Sequence, residues 1–154
     1  EVGVTPVQMV AAFGARANDG LRIAPHLIRE VRDSGGNVVY RAQPEQRRVI
    51  SADTAIALRG MLEGVTLNGT AKKAQLDGYS AAGKTGTAQR SGSETAKPHS
   101  WFAGFGPYGE QSEIASAVMY ESAGEGVSFA APTTRLIYED WLQSALRAEL
   151  HAGS

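Results

Sequence analysis

Cysteine is absent from the 154 residues, which excludes disulfides, thiolate-bound metal and a thiol nucleophile and leaves the redox compartment open. An excess of one charge is lacking too: 15 lysines and arginines against 16 aspartates and glutamates leave a formal charge of -1. No basic field therefore points to nucleic acid, and no acidic tail to a cationic partner. No apolar run approaches the roughly 18 residues that a membrane span needs, and no signal peptide opens the chain. The first residue is Glu1 rather than methionine, as expected of a processed or excised piece whose targeting segments would lie upstream. His-Glu-x-x-His, Gly-x-x-x-x-Gly-Lys-Ser/Thr and a dinucleotide fingerprint after a strand are all missing, so no metal and no cofactor is expected. What is present, 42% hydrophobic and 20% charged residues, suits one globular domain or a large piece of one.

Thr5-Pro6-Val7-Gln8 predicts a helix start, with a threonine cap, proline at the first helical position and glutamine three residues on to close a capping box. Val7, Val10, Ala11, Gly14 and Ala17 then recur at helical steps until Asn18-Asp19-Gly20. Leu21 to Val31 and Val38 to Arg41 read as strands around a hairpin turn at Asp33 to Asn37. Arg29, Arg32, Arg41 and Glu30 read as a solvated strand face, and His26 as structural rather than a metal ligand. Gln43 to Val49 reads as a polar connector. Ser51 caps a second helix through about Val65, Leu67 to Thr70 breaks it, and Lys72 and Lys73 follow as loop charges. Strands are expected over Tyr79 to Arg90, His99 to Pro107 and Ile114 to Tyr120, with a polar loop from Ser91 to Pro98. The aromatics Trp101 and Phe102 suit core more than a ligand platform. Pro132 opens a final helix through about Leu150, its apolar face marked by Leu136, Ile137, Trp141, Leu142, Leu146 and Leu150. His151 to Ser154 reads as a frayed tail.

One stretch carries chemistry. Ala82-Gly83-Lys84-Thr85-Gly86-Thr87-Ala88-Gln89 places a cation, two hydroxyls and two glycines between apolar neighbours. An ammonium beside hydroxyls and backbone N–H groups suits an anionic or carbonyl-bearing ligand, and glycine admits close approach to the main chain. Run as a strand, the segment sends Lys84, Gly86 and Ala88 to one face and Gly83, Thr85, Thr87 and Gln89 to the other. Lys-Thr-Gly alone is three common residues, so its neighbours must decide whether it is a site.

Those neighbours bear a resemblance. Gly3-Val4-Thr5-Pro6-Val7-Gln8-Met9, Ala17-Asn18-Asp19-Gly20 with Pro25, Gly69-Thr70-Ala71, the Lys84-Thr85-Gly86-Thr87 run, and Trp101-Phe102-Ala103-Gly104-Phe105 with Pro107 stand in one order along nearly the whole chain. The chain resembles the C-terminal part of a class B penicillin-binding protein transpeptidase domain of the division or elongation type. The resemblance implies an α+β fold, an antiparallel sheet packed by helices, as the C-terminal portion of the penicillin-binding and serine β-lactamase-like transpeptidase fold. It further implies a part in a peptidoglycan D,D-transpeptidase that cross-links D-Ala-D-Ala stem peptides through an acyl-serine and that β-lactams acylate.

Of the family's three motifs, Ser-x-x-Lys, Ser-x-Asn and Lys-Thr-Gly, only the third is here; Ser93 precedes Lys97 by four residues rather than three. The nucleophile-bearing part is therefore expected upstream, and residues 1–154 as the second part of a larger enzyme. Under the resemblance Lys84 is catalytic, holding positive charge against the missing serine of Ser-x-Asn. The Thr87 backbone N–H is an oxyanion-hole donor. The Thr85 and Thr87 hydroxyls bind the ligand carboxylate, and Gly86 leaves room for substrate lying alongside the strand. Implied partners are the stem peptide, β-lactams, the N-terminal part of the same enzyme and divisome or elongation proteins, at the periplasmic face of an inner membrane to which an upstream segment anchors the protein. Within the superfamily a serine β-lactamase, a D,D-carboxypeptidase or a β-lactam sensor also uses Lys-Thr-Gly; outside catalysis, a scaffold module could retain the strand and lose the nucleophile.

Overall fold

The computed structural model describes residues 3–89, 96–108 and 112–152, with side chains through residue 145. Helix α1, Pro6–Ala17, begins as its first residues dictate. The Thr5 hydroxyl accepts from the Gln8 N–H at 3.2 Å, and the Gln8 side chain accepts from the Thr5 N–H at 2.8 Å. Both donors would otherwise be unsatisfied at the helix end. At its other end Asp19 and Gly20 turn the chain through positive φ values of 47° and 83°, a conformation that glycine adopts without strain.

The next segment departs from expectation. Leu21 to Val31 is not one strand but two, β1, Leu21–Ile23, and β2, Glu30–Arg32. Pro25, which has no N–H to donate, interrupts them. β2 pairs with β3, Val38–Arg41, across the expected turn, while the expected connector supplies a strand, β4, Gln46–Arg48, antiparallel to β1. Two further bonds flank that ladder: the Val49 N–H donates to the Gly20 carbonyl at 2.9 Å, and the Arg48 guanidinium donates to the Asp19 carbonyl at 2.7 Å. As expected, the arginines around Glu30 form a solvated face, Arg32 and Arg41 both reaching its carboxylate at 2.6 and 2.8 Å.

Helix α2, Ala52–Leu67, is capped by Ser51, whose hydroxyl accepts from the Thr54 N–H. Its Arg59 ties back to α1, to Asp19 at 2.8 Å and the Ala17 carbonyl at 3.1 Å. A 3₁₀ turn, Lys72–Ala74, stands where a loop is expected and leaves both lysines exposed. Three strands follow, β5, Ser80–Ala88, β6, His99–Tyr108, and β7, Ile114–Tyr120, joined antiparallel in the order β5-β6-β7. Helix α3, Ala130–Ala152, closes the chain. It starts two residues before Pro132 and runs past Leu150 to Ala152, into the stretch expected to fray; residues 153 and 154 and the side chains of Leu146 and Leu150 lie outside the described residues, as does most of the loop expected from Ser91.

The sheet is packed on both faces, an α+β arrangement. One face lays Ala82, Ala103 and Phe105 against Phe13 and Met9 of α1. The opposite face lays Phe102 against Ala71, Ala74, Ala130 and Ala131, and Ala81 against Tyr138 and Leu76. Phe102, Phe105 and Tyr138 are fully buried, and each phenyl ring contributes roughly 1.5–3 kcal/mol by leaving water. The surrounding alanines let helices and sheet approach closely.

Candidate active site

β5 is an edge strand, so half of its main-chain groups face away from β6. Helix α2 covers the first part of that edge: the buried Thr66 hydroxyl lies between the carbonyl oxygens of Glu63 and Ala81. From Lys84 onward no strand pairs with the edge among the described residues. There it borders an open groove of about 490 Å³, lined by Lys84 to Gln89, His99 and Trp101 and floored by Met9 and Phe13 of α1.

Register decides which side chains meet. Lys84 stands opposite Ala103, Gly86 opposite Trp101 and Ala88 opposite His99, all on the α1 face. Thr85 and Thr87 stand opposite Phe102 and Ser100 on the other. The alternation therefore holds for the backbone, but the lysine is long enough to curl round the edge. Its Nζ donates to the Thr85 carbonyl at 2.9 Å and stands 3.3 Å from the Thr85 hydroxyl. A second hydroxyl joins them, Thr70 Oγ1, 2.8 Å from Thr85 Oγ1 and 3.4 Å from Lys84 Nζ. Nothing local in Gly69-Thr70-Ala71 marks Thr70 as a neighbour of this strand. Thr87 is exposed on the same strand, and its side chain has no hydrogen bond among the described residues.

The two glycines have internal neighbours. A Cβ on Gly83 would stand 2.7 Å from the Ala103 carbonyl oxygen and 2.8 Å from Phe102 Cε1, because the Phe102 ring lies across Gly83 and Gly104. A Cβ on Gly86 would meet Trp101 Cβ at 3.1 Å, while Gly126 comes so close that its own Cβ would be 2.7 Å from the Gly86 carbonyl oxygen. Packing within the chain thus accounts for Gly83 without any ligand, while at Gly86 an added Cβ would press only on Trp101. The aromatic pair divides: Phe102 is core, whereas Trp101 is half-buried and forms the groove wall.

The loop before α3 is laced to the start of β6. His99 Nδ1 accepts from the Ser122 N–H at 3.0 Å, which leaves the ring proton of the neutral imidazole on Nε2. Gly124 donates to the Pro98 carbonyl, and the Ser100 hydroxyl donates to the Glu125 carbonyl while accepting from the Ala130 N–H. These bonds place Gly126 against β5 and β6 beside the groove. No local sequence signal distinguishes His99 or this loop.

The family model of the penicillin-binding protein transpeptidase domain matches residues 2–139. The chain belongs to that family. Among relatives of the transpeptidase domain, PbpB of Mycolicibacterium smegmatis is 40% identical over 96 residues, 58% of this chain and 15% of that protein. Stage V sporulation protein D of Bacillus subtilis is 34% identical over 149 residues, 92% of this chain and 23% of that protein. Among solved structures, the imipenem acyl-enzyme complex of penicillin-binding protein A from M. tuberculosis matches with a TM-score of 0.77 at 27% identity, over 92% of this chain and 32% of that one. The chain thus spans a quarter or less of these two relatives and about a third of this solved transpeptidase structure.

Proposed function

We propose that residues 1–154 form one wall of the cleft of a peptidoglycan D,D-transpeptidase, with the nucleophilic serine on a part of the enzyme upstream of Glu1. The observation that carries this reading is the cluster of Lys84, Thr85 and Thr70 on the unpaired edge of β5, beside an open groove. A cation and hydroxyls at a strand edge suit a peptide that adds itself as a further strand and ends in a carboxylate. Family membership and the acyl-enzyme complex of a relative give the same direction.

In this reading the serine oxygen attacks the carbonyl of the penultimate D-alanine, the terminal D-alanine leaves, and the amine of a second stem peptide attacks the resulting ester and frees the serine. Lys84 supplies positive charge next to the reacting serine and to the serine of Ser-x-Asn. The Thr87 N–H is one donor of the oxyanion hole, a contribution of about 3 kcal/mol per donor in comparable acyl-transfer sites. Thr85 and Thr87 hold the ligand carboxylate, and Gly86 keeps the groove wall low. β-Lactams enter as acylating analogues of the stem peptide. The enzyme would work at the periplasmic face of the inner membrane, held by an upstream anchor and accompanied by division or elongation proteins.

Fluorescent penicillin tests this on the complete enzyme. Label that survives denaturation should map to the polypeptide upstream of Glu1, with none on residues 1–154, and Lys84→Ala should abolish it. Absence of label from every reconstituted assembly overturns the reading in favour of a scaffold module. Undiminished label in Lys84→Ala removes the role given to that lysine.

A further inference from the structure

We infer that Thr70 is a positioning residue that orients the Thr85 hydroxyl as a donor towards an anionic ligand, an inference that rests on the proposed function. Thr70 does not line the groove; Thr85 and Lys84 do. Its hydroxyl stands behind theirs, 2.8 Å from Thr85 Oγ1 and 3.4 Å from Lys84 Nζ.

Two proton placements suit this arrangement, since either hydroxyl could donate to the other, and only one of them serves a carboxylate. An ammonium only donates, so both threonine oxygens accept from the Lys84 side and their own protons point elsewhere. One proton lies between the two hydroxyls. Supplied by Thr85, it would turn that residue's lone pairs to the groove, against any carboxylate. Supplied by Thr70, it frees the Thr85 proton for the ligand. The resulting chain runs from Lys84 Nζ through Thr70 Oγ1 and Thr85 Oγ1 to the anion, and each bond polarises the next. Lysine charge thereby reaches the ligand through two hydroxyls.

The backbone holds Thr70 in place for that task. The N–H groups on either side of it, those of Gly69 and Ala71, both donate to the Val65 carbonyl, at 3.0 and 3.1 Å. Ala71 is fully buried in the cluster with Phe102 and Ala130, and a Cβ on Gly69 would stand 2.9 Å from the Val65 carbonyl oxygen. The end of α2 is therefore a bracket that carries one hydroxyl to the middle of the Lys-Thr-Gly strand.

The test compares acylation rates of the complete enzyme by benzylpenicillin, which bears a carboxylate, and by its neutral methyl ester. Thr70→Val should slow the carboxylate-bearing ligand about five- to tenfold, the scale of one lost hydrogen bond. It should leave the ester's rate unchanged, Thr70→Ser should restore the rate, and Thr70→Val should cost nothing further in a Thr85→Val background. Equal slowing of both ligands, failure of serine to rescue, or additivity with Thr85→Val overturns the inference, since a packing defect would produce any of them. Wild-type enzyme that no penicillin acylates overturns the proposed function itself, and this inference with it; a wild-type rate matched by Thr70→Val overturns the inference alone.

Discussion

Single residues in the Lys-Thr-Gly strand carry two obligations, and the structure separates them. Gly83 and Gly104 make the slot in which the Phe102 ring lies, whereas Lys84 and Thr85 reach past the strand edge to each other and to Thr70. The sequence marks Gly83 and Thr85 alike, as small or polar neighbours of Lys84. Gly83→Ala is expected to lower domain stability by about 1–3 kcal/mol, since the added methyl must displace a buried ring or a main-chain carbonyl. At Gly60, in the middle of α2, the methyl that alanine adds would have nothing within 4 Å, so Gly60→Ala should raise stability by about 0.5–1 kcal/mol through helix propensity alone. Urea unfolding of the complete enzyme's transpeptidase domain measures both, and opposite signs are required.

Elements were legible where their own ends specify them. The capping box at Thr5 and Gln8 and the cap at Ser51 are written in consecutive residues, and both helices begin there. The start of α3 is different: its Ala130 N–H is received by Ser100, a residue of β6 thirty positions earlier. No local pattern could announce that. β4 was equally hidden, because Gln46-Arg47-Arg48 has no apolar alternation and becomes a strand only by pairing with β1. The hairpin of β2 and β3 offers a pH test. Asp33 Oδ1 accepts from the N–H groups of Gly35 and Asn37, each at 2.9 Å, and the Asn37 hydrogen bonds above all hold its pKa below the usual 3.8. A lowered folded-state pKa means that the carboxylate form stabilises the turn, fully above the unfolded value and progressively less as pH falls through the folded one. The Gly35 and Asn37 amide proton shifts should therefore titrate with a midpoint below 3.8; a midpoint at or above that value contradicts the assignment.

At the scale of the molecule, helices cover both sheet faces. The openness lies elsewhere. β7 has no second neighbour among the described residues, the groove side of β5 is free, and Leu27, Ile28, Val39 and Tyr40 stand exposed on the β2–β3 lobe. Free strand edges beside exposed apolar side chains favour association. Residues 1–154 expressed alone are expected to aggregate or to melt without a cooperative transition, and light scattering with calorimetry on that polypeptide checks it. A monomer with one sharp transition at all concentrations would count against the expectation.

The sequence by itself determined the starts of α1 and α2, the three long strands, the order of motifs and the single stretch with chemistry, because each rests on residues close together in the chain. Tertiary structure alone decided that Thr70 meets Thr85 and Lys84, that Phe102 needs Gly83, and that the loop before α3 leans on Gly86. Those contacts join residues 14 to 40 positions apart, and only the pairing of β5 with β6 and the packing of α2 and the loop against them bring such residues within reach.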